Sequence, residues 1–366
     1  VDKDDDFEYR LYKDENTMLR AFIEYWANNC PDIVSGWNTD QFDFPYIINR
    51  ISRILGDDYA RKLSPFNIIK ERMIEIRGKE IQTYDTVGVV QLDLLDLYKK
   101  FGTYSAKESY ALGFIAQEEL GDTKLEIHEA TSFKDAYDNY YQKFVKYNAK
   151  DAQLVHRLDN KMKLIELALT LAYDNKVNYD DVFTQVRMWD AIVYNYLLKK
   201  KIVIPQMKRG EKKSQYEGAY VKDPILGMHE WVASFDLNSL YPHLIMQYNI
   251  SMETLVEPAK YTDEMKQFIA TKKVNVDTLL SQQINTEELK DFGVTLTPNG
   301  QMFRINEQGV MPEIMDTMYK DRTRYKKLAL EAKKKIETVL DDKNQVHYLE
   351  KQVARYNNLQ LAKKVT

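Results

Sequence analysis

The sequence has 366 residues, of which 44% are hydrophobic and 30% are charged, and its formal net charge is −4. These values are typical of a globular protein of two or three domains, and no apolar run approaches the ~18 residues of a membrane span. The lone cysteine, Cys30, excludes an internal disulfide and fits a reducing compartment. The average charge does not indicate nucleic acid, but basic residues are concentrated at 208–213 and 320–335.

The first 200 residues have the alternating helix and strand patterns of a mixed α/β unit. In chain order, these patterns predict a helix at 15–29, a strand at 33–35, a helix ending near 54, strands within 73–95 around a turn at 77–79, helical stretches at 91–100 and 134–173, and a helix at 187–200.

The second part begins after a polar segment, 206–218, which we predict to be a linker. A strand-plus-helix unit and then a helical hairpin are predicted beyond it. The patterns indicate strands at 219–222 and 231–235, a helix at 239–247, a weakly patterned polar insertion at 257–292, a β-hairpin at 293–305, a helix from Pro312 to about 340, and a returning helix to the end.

The segment from Ser234 to Pro242 (SFDLNSLYP) is the most informative string in the sequence. The predicted strand ends at Asp236, and a strand end can hold a carboxylate rigidly over a metal ion. The turn that follows exposes backbone N–H groups, which suit phosphate oxygens. A buried tyrosine before a strand-to-helix turn would explain Tyr241 but not the complete string.

Two further strings place carboxylates on predicted helices. In GWNTDQFDFPY (36–46), Asp43 lies near a helix start, where the helix dipole favours its ionised form, and Asn38 either caps the helix or reaches a nucleotide. In YNAKD (147–151), Tyr147 and Asp151 share a helix face, so the phenol can orient a water molecule beside the carboxylate. Taken alone, each string is also compatible with an ordinary capped or solvated helix.

Basic side chains form a third constellation on the predicted helical hairpin. Arg322 and Lys326 are i, i+4 neighbours, and Lys364 lies on the returning helix. Local basic surfaces are compatible with phosphate contacts, although most basic residues of this hairpin are predicted to face solvent.

These strings, in this order, resemble family B DNA polymerases over nearly the whole chain, from about residue 10 to residue 366. SFDLNSLYP resembles polymerase motif A, and GWNTDQFDFPY and YNAKD resemble the second and third motifs of Asp-Glu-Asp-Asp exonucleases. YEGAYV (216–221) resembles the motif between the two domains. DLYKKF (96–101) and WDAI (189–192) add a resemblance to the replicative polymerases of T-even-type phages.

The resemblance implies a mixed α/β fold with a ribonuclease H-like 3′–5′ exonuclease domain. The implied boundaries are an exonuclease domain at 1–200, a connecting segment at 201–230, the first part of the palm at 231–309, and a two-helix fingers hairpin at 310–366. The implied partners are primer-template DNA, the 3′ end of single-stranded DNA, dNTPs and a sliding clamp, with no membrane. The implied location is the cytoplasm of a phage host.

The resemblance also implies roles for the polymerase residues. Asp236 would bind one or both of two Mg²⁺ ions, Leu237, Ser239 and Leu240 would meet metal and phosphate, and Tyr241 would exclude a 2′-hydroxyl. The triphosphate would be held by Arg322, Lys326 and Lys364, with Lys363 as the alternative to Lys364.

In the implied exonuclease site, Asp43 and Asp151 would bind two Mg²⁺ ions, Tyr147 would orient water, and Asn38 would contact DNA. The first exonuclease motif has no good match, because Asp6-Phe7-Glu8 lacks a preceding apolar strand and lies too close to Asp43. No Asp-Thr-Asp occurs in the sequence either, so the second polymerase carboxylate is missing.

We therefore expect an internal fragment that is inactive in isolation. The alternatives are a subunit of a split polymerase, active only with a second chain, and a non-catalytic DNA-binding remnant. A free-standing exonuclease fits less well, because that activity does not need the 231–242 string.

Overall fold

The computed structural model describes residues 8–76, 78–102, 105–204, 206, 221–275, 277–278, 281, 283–285, 287–339 and 342–366. The chain forms two compact units, one of Val1–Val203 with Lys364–Thr366 and one of Ile204–Lys363. Among the described residues, no helix combines the length and apolar character needed to cross a membrane.

The first unit contains nine α-helices and four short strands among its described residues. They are α1 (Glu15–Asn29), β1 (Ile33–Val34), α2 (Asp43–Leu55), α3 (Asp57–Arg61), β2 (Ile69–Ile76), β3 (Lys79–Thr86), β4 (Val90–Gln91), α4 (Leu94–Leu97), α5 (Leu112–Leu120), α6 (Phe133–Asn139), α7 (Tyr141–Met162), α8 (Leu164–Asn175) and α9 (Gln185–Lys199). A π-helical turn, Tyr98–Gly102, extends α4, and a 3₁₀ turn, Asp180–Phe183, precedes α9.

Apolar side chains at helical spacing build the core beneath α1 and α2. Leu19 and Ile23 of α1 are buried with Phe44, Ile48 and Ile51 of α2. Asp14 caps α1, since its side chain accepts a hydrogen bond from the Thr17 N–H. The predicted helices at 15–29 and up to about residue 54 are confirmed, although the second begins only at Asp43.

The strands of the first unit form two small sheets. β1 pairs with β4 in parallel, with Ile33 opposite Val90. β2 and β3 form an antiparallel hairpin that runs from Ile69 opposite Thr86 to Ile76 opposite Lys79. The predicted hairpin is therefore confirmed; Arg77, at its turn, lies outside the described residues.

The helical stretch predicted at 134–173 is divided into α6, α7 and α8. Lys163 has a left-handed backbone (φ 56°), which ends α7, and the Asp159 carboxylate accepts the Ile165 N–H at the start of α8. The apolar pattern alone did not reveal the second break, because buried leucines, Leu158 and Leu164, lie on both sides of it.

The second unit joins a three-stranded sheet to long helices. Its elements are α10 (Leu240–Tyr248), β5 (Leu255–Val256), a 3₁₀ turn (Pro258–Lys260), α11 (Asp263–Lys272), α12 (Glu288–Asp291), β6 (Val294–Leu296), β7 (Met302–Arg304), α13 (Val310–Thr338) and α14 (Lys343–Val365). The strand order is β5-β7-β6 and all pairs are antiparallel. This confirms the predicted hairpin at 293–305 and the two long helices, the first of which begins at Val310 rather than at Pro312.

The insertion at 257–292 has more structure than its polar composition indicates. Met265 and Phe268 of α11 and Leu289 of α12 are buried against Val294 and Met302 of the sheet. These apolar residues are far apart in the sequence and come together only in the folded chain, so no local pattern indicated their shared core.

Candidate functional site

The segment carrying Asp236 is not the strand that the sequence predicts. Residues 231–235 pair with no strand among the described residues, and Trp231 and Phe235 are 98% and 92% exposed. A strand requires a neighbouring strand to bind its backbone groups, and the apolar pattern cannot provide one. The strand prediction is therefore wrong for this chain, and Asp236 lies in an exposed segment without regular secondary structure.

The turn after Asp236 begins a helix as expected. Ser239 has a left-handed backbone (φ 55°, ψ 43°), and its carbonyl accepts the His243 N–H at 3.1 Å. The exposed Tyr241 lies in the first turn of α10. Leu237, just before the turn, and Leu240, the first residue of α10, are exposed as well.

Two of the predicted polymerase residues lie in direct contact. Arg322 of α13 donates a hydrogen bond from Nη1 to the Ser239 hydroxyl at 3.1 Å. The rings of His243 and Tyr319 lie 4.7 Å apart, nearly perpendicular, where α10 packs on α13. The structure thus brings a cation of the predicted fingers helix onto the turn of SFDLNSLYP.

The remaining basic candidates differ in exposure. Lys326, one turn after Arg322, is exposed. The Lys363 side chain is only 11% exposed, and its ammonium lies 3.8 Å from the Asp321 carboxylate. Lys364 is exposed.

A polar cluster that the sequence analysis missed holds the start of α13. Asn249, left-handed at the end of α10, accepts the Gly309 N–H and donates to the carbonyls of Arg304 and Glu307. Glu253 accepts the Val310 N–H. Burial opposes ionisation of Glu253, but this bond and its neighbours hold the pKa of the carboxyl below its ordinary value. The cluster fixes the base of α13 to the end of α10.

Asp43 is the first residue of α2, as the sequence predicts. Partial burial raises the pKa of its carboxyl and outweighs a backbone hydrogen bond that lowers it. The pKa of Asp43 is thus raised by burial and not lowered by its place at the helix start. A bound cation would reverse this balance.

Asn38 does not cap α2. Its backbone is left-handed (φ 70°), and its N–H donates to Asp93 Oδ1 at 3.0 Å. The same carboxylate accepts from the N–H groups of Leu95 and Asp40 and from the Thr39 hydroxyl. Asp93 is 4% exposed, and burial raises the pKa of its carboxyl despite these bonds.

Asp93 is thus a positioning residue for the Asn38–Asp40 loop that the sequence analysis did not identify. It is also the N-cap of α4. An Asp directly before the apolar pair Leu94-Leu95 is a signal for a helix N-cap that could have found it. Its long-range contact with the loop before α2 has no sequence signal.

Asp151 and Tyr147 lie on the same side of α7 and share a neighbour, Lys124. The Lys124 ammonium lies 2.6 Å from Asp151 Oδ2 and 5.5 Å from the centre of the Tyr147 ring. Burial opposes the charge of Lys124, yet Asp151 holds its pKa above the ordinary value. The other oxygen, Asp151 Oδ1, is buried and has no hydrogen-bond partner among the described residues. An unpartnered buried carboxylate oxygen fits a ligand to a hard cation.

Within the described residues, no hydrogen bond or ion pair joins Asp43 to Asp151. The described part of the chain also has no group of three or more His, Cys, Asp or Glu residues arranged to hold a metal ion. Glu8, from the weak upstream match, is exposed and paired with Arg10. The other residues of that match lie outside the described ranges.

Two family models match the chain in the order that the motifs imply. The model for the exonuclease domain of DNA polymerase family B matches residues 3–115, and the model for DNA polymerase family B matches residues 184–352. Together they include the strings around Asp43 and Asp236.

Similar proteins include DNA-directed DNA polymerases of two phages. The protein of Escherichia phage RB69 is 32% identical over 332 residues, which are 90% of this chain and 35% of the relative. The protein of Enterobacteria phage T4 is 31% identical over 319 residues, or 87% of this chain and 33% of the relative. The DNA polymerase delta catalytic subunit of Drosophila melanogaster is 28% identical over 327 residues, 85% and 28% of the two chains. The chain spans about a third of the length of these relatives.

Proposed function

Because this chain belongs to DNA polymerase family B, we propose that it contributes to template-directed DNA synthesis and to 3′–5′ exonuclease proofreading. The contact between Arg322 and Ser239 carries this proposal, since it joins two candidate triphosphate-binding groups that are far apart in sequence. Primer-template DNA and dNTPs are the proposed substrates. We also propose that the protein works with a sliding clamp in the cytoplasm of a phage host.

In the proposed synthesis site, the backbone of Leu237, Ser239 and Leu240 meets the incoming triphosphate. Arg322 holds the turn from one side and remains half-exposed, so its guanidinium can also meet a phosphate oxygen. Lys326 and Lys364 add positive charge that offsets the charge of the transferring phosphoryl group. Tyr241, exposed at the start of α10, packs against the sugar and excludes a 2′-hydroxyl.

In the proposed exonuclease site, Asp43 and Asp151 supply carboxylates and Tyr147 orients the attacking water. Asn38 contacts the DNA strand, and its loop is held in place by Asp93. Lys124 balances the charge of Asp151 through Oδ2 and leaves Oδ1 for a cation.

Divalent cations, proposed to be two Mg²⁺ ions in each site, would supply Lewis-acid activation and charge neutralisation when bound. The residues fit such ions, because Asp151 Oδ1 is a buried oxygen without a partner. The carboxylate of Asp236 has no hydrogen bond or ion pair with the described residues, so it is also available. Since the sequence contains no Asp-Thr-Asp, we propose that residues outside these 366 supply the second palm carboxylate.

A chimera provides the test. In it, this chain replaces the aligned segment of the RB69 polymerase, so that the rest of the relative completes the palm and the first exonuclease motif. We expect primer extension by the chimera, loss of extension in Asp236→Ala, and normal extension in the control Asp316→Ala, whose carboxylate is paired with Lys320 on the surface of α13. Extension that survives Asp236→Ala would refute the proposed synthesis site.

A further inference from the structure

Five aromatic side chains form one surface cluster on α6 and α7, here called the aromatic patch. Its members are Phe133, Tyr137, Tyr141, Phe144 and Tyr147. The Tyr137 ring lies 5.1 Å from Tyr141 and 5.8 Å from Phe144, and Phe133 lies 6.1 Å from Tyr147. These contacts cross between the two helices and form two groups, Phe133 with Tyr147 and Tyr137 with Tyr141 and Phe144, so each exposed ring packs on at least one ring of the other helix.

The two rings at the outer side of the patch are held in place without being covered. Phe133 is 71% exposed and Tyr137 is 54% exposed. Their neighbours contact them at angles of 70°, 86° and 89°, which are favourable edge-to-face geometries. Phe133 buries little apolar area when the chain folds, so it adds little to the stability of the fold. An exposed apolar surface whose rings are nevertheless held in place favours binding to a partner with flat apolar faces.

The same two helices also carry lysines. Lys134 follows Phe133 in the sequence of α6, and Lys143 precedes Phe144 in the sequence of α7. Each is paired with one carboxylate, Asp138 for Lys134 and Glu129 for Lys143. The pairs are largely exposed, and such pairs are weak, so a phosphate can replace the carboxylate at small cost. Proteins bind single-stranded nucleic acid by stacking its bases on aromatic rings and by pairing its phosphates with cations.

The inner end of the patch is Tyr147, the tyrosine of the proposed exonuclease site, which the Phe133 ring contacts. We propose that the aromatic patch holds the single-stranded 3′ end of DNA, with nucleobases stacked on Phe133 and Tyr137 as the strand reaches Tyr147 and Asp151. The assignment of the strand as a 3′ end rests on the proposed exonuclease function. The stacking surface itself rests on the exposure and the ring contacts.

Binding without hydrolysis tests the patch. The full chain in EDTA is titrated into a single-stranded oligonucleotide that carries 2-aminopurine at its 3′ end, and both anisotropy and emission are recorded. Binding by the unmodified chain should quench the emission, because the base analogue stacks on a ring. Phe133→Ala and Tyr137→Ala should each weaken binding roughly 5- to 150-fold, and Phe133→Trp should retain it. The control Tyr25→Ala, which removes an equally exposed ring from α1, should leave affinity unchanged.

Three outcomes would overturn the proposal: no single-strand binding by the unmodified chain, unchanged affinity and quenching in both patch variants, or equal weakening by Tyr25→Ala. Circular dichroism confirms that each variant is folded. Strand hydrolysis is measured separately in the chimera with Mg²⁺. If Phe133→Ala and Tyr137→Ala weaken binding but hydrolysis does not depend on Asp151, the proposed exonuclease site is refuted and the binding role of the patch is not. Asp151-dependent hydrolysis with neutral patch variants would refute the patch alone.

Discussion

Arg322 donates a hydrogen bond to the Ser239 hydroxyl at 3.1 Å and thereby ties the middle of α13 to the turn before α10. The partners are 83 residues apart in the chain. A movement of α13 therefore changes the position of a cation directly at the turn where the triphosphate is proposed to bind. A further contact between the two helices, the hydrogen bond from the Gly309 N–H to Asn249, lies at the start of α13.

Replacing Arg322 by Ala should impair nucleotide use by the chimera. The change removes a charge-assisted contact, so we expect kcat/KM for dNTP to fall by roughly 10- to 150-fold, which corresponds to about 1.5–3 kcal/mol. Steady-state extension of a primer by one nucleotide measures this value. Arg324→Ala is the control, because Arg324 is exposed on the same helix, and it should change kcat/KM by less than about 2-fold. Equal effects of the two variants would argue against a specific role of Arg322.

Replacing Tyr241 by Ala should reduce the selection of deoxyribose over ribose. Loss of the ring opens space for a 2′-hydroxyl, and an apolar pocket of this size discriminates by roughly 10- to 200-fold. The ratio of kcat/KM for dNTP to that for the matching rNTP measures the effect in the chimera. Tyr241→Phe retains the ring and should retain the selectivity. An unchanged ratio in the Ala variant would remove Tyr241 from the proposed site.

Replacing Asp93 by Ala should destabilise the first unit. Its carboxylate accepts one buried and two partly buried backbone N–H groups, and Ala leaves them without this acceptor. Removing the buried charge offsets part of this loss, but the unsatisfied donors outweigh it, so unfolding free energy should fall by about 2 kcal/mol. Urea unfolding of the chain measures it.

The control for that experiment is Asp96→Ala, which removes a half-exposed carboxylate paired at 3.7 Å with Lys99. It should change the unfolding free energy by less than about 0.5 kcal/mol. A similar small change in Asp93→Ala would show that the Asn38–Asp40 loop does not depend on this anchor.

Asp122 should contribute to stability in a pH-dependent way. Hydrogen bonds from Lys150 and Arg157 lower the pKa of its carboxyl to about 2. A folded pKa below the unfolded value of about 3.9 adds stability above the unfolded pKa, and this stability is lost as the pH falls through the folded pKa. Asp122→Asn should therefore lower the thermal midpoint at pH 7, and the difference from the unmodified chain should shrink as the pH falls below about 4 and vanish below about 2. A difference that is the same at both ends of this range would contradict the assignment.

The sequence predicts helices and turns well where local signals decide them. The Asp14 cap of α1 and the apolar spacing of α2 are both local. The sequence fails where a distant partner decides the structure. The strand at 231–235 lacks a neighbouring strand among the described residues, and Asp93 acts through a loop more than 50 residues away. The motifs identified the candidate residues, but only the structure shows that Arg322 contacts Ser239 and that Lys363 is largely buried.

We propose that this chain contributes to two sites, one built around Asp236 and one around Asp43 and Asp151. The most direct test measures primer extension and 3′-end hydrolysis side by side in the chimera and its variants. Asp236→Ala should abolish extension and retain hydrolysis, whereas the double variant Asp43→Ala with Asp151→Ala should abolish hydrolysis and retain extension. If both activities are lost in each variant, or both are retained in each variant, the assignment of two sites is contradicted.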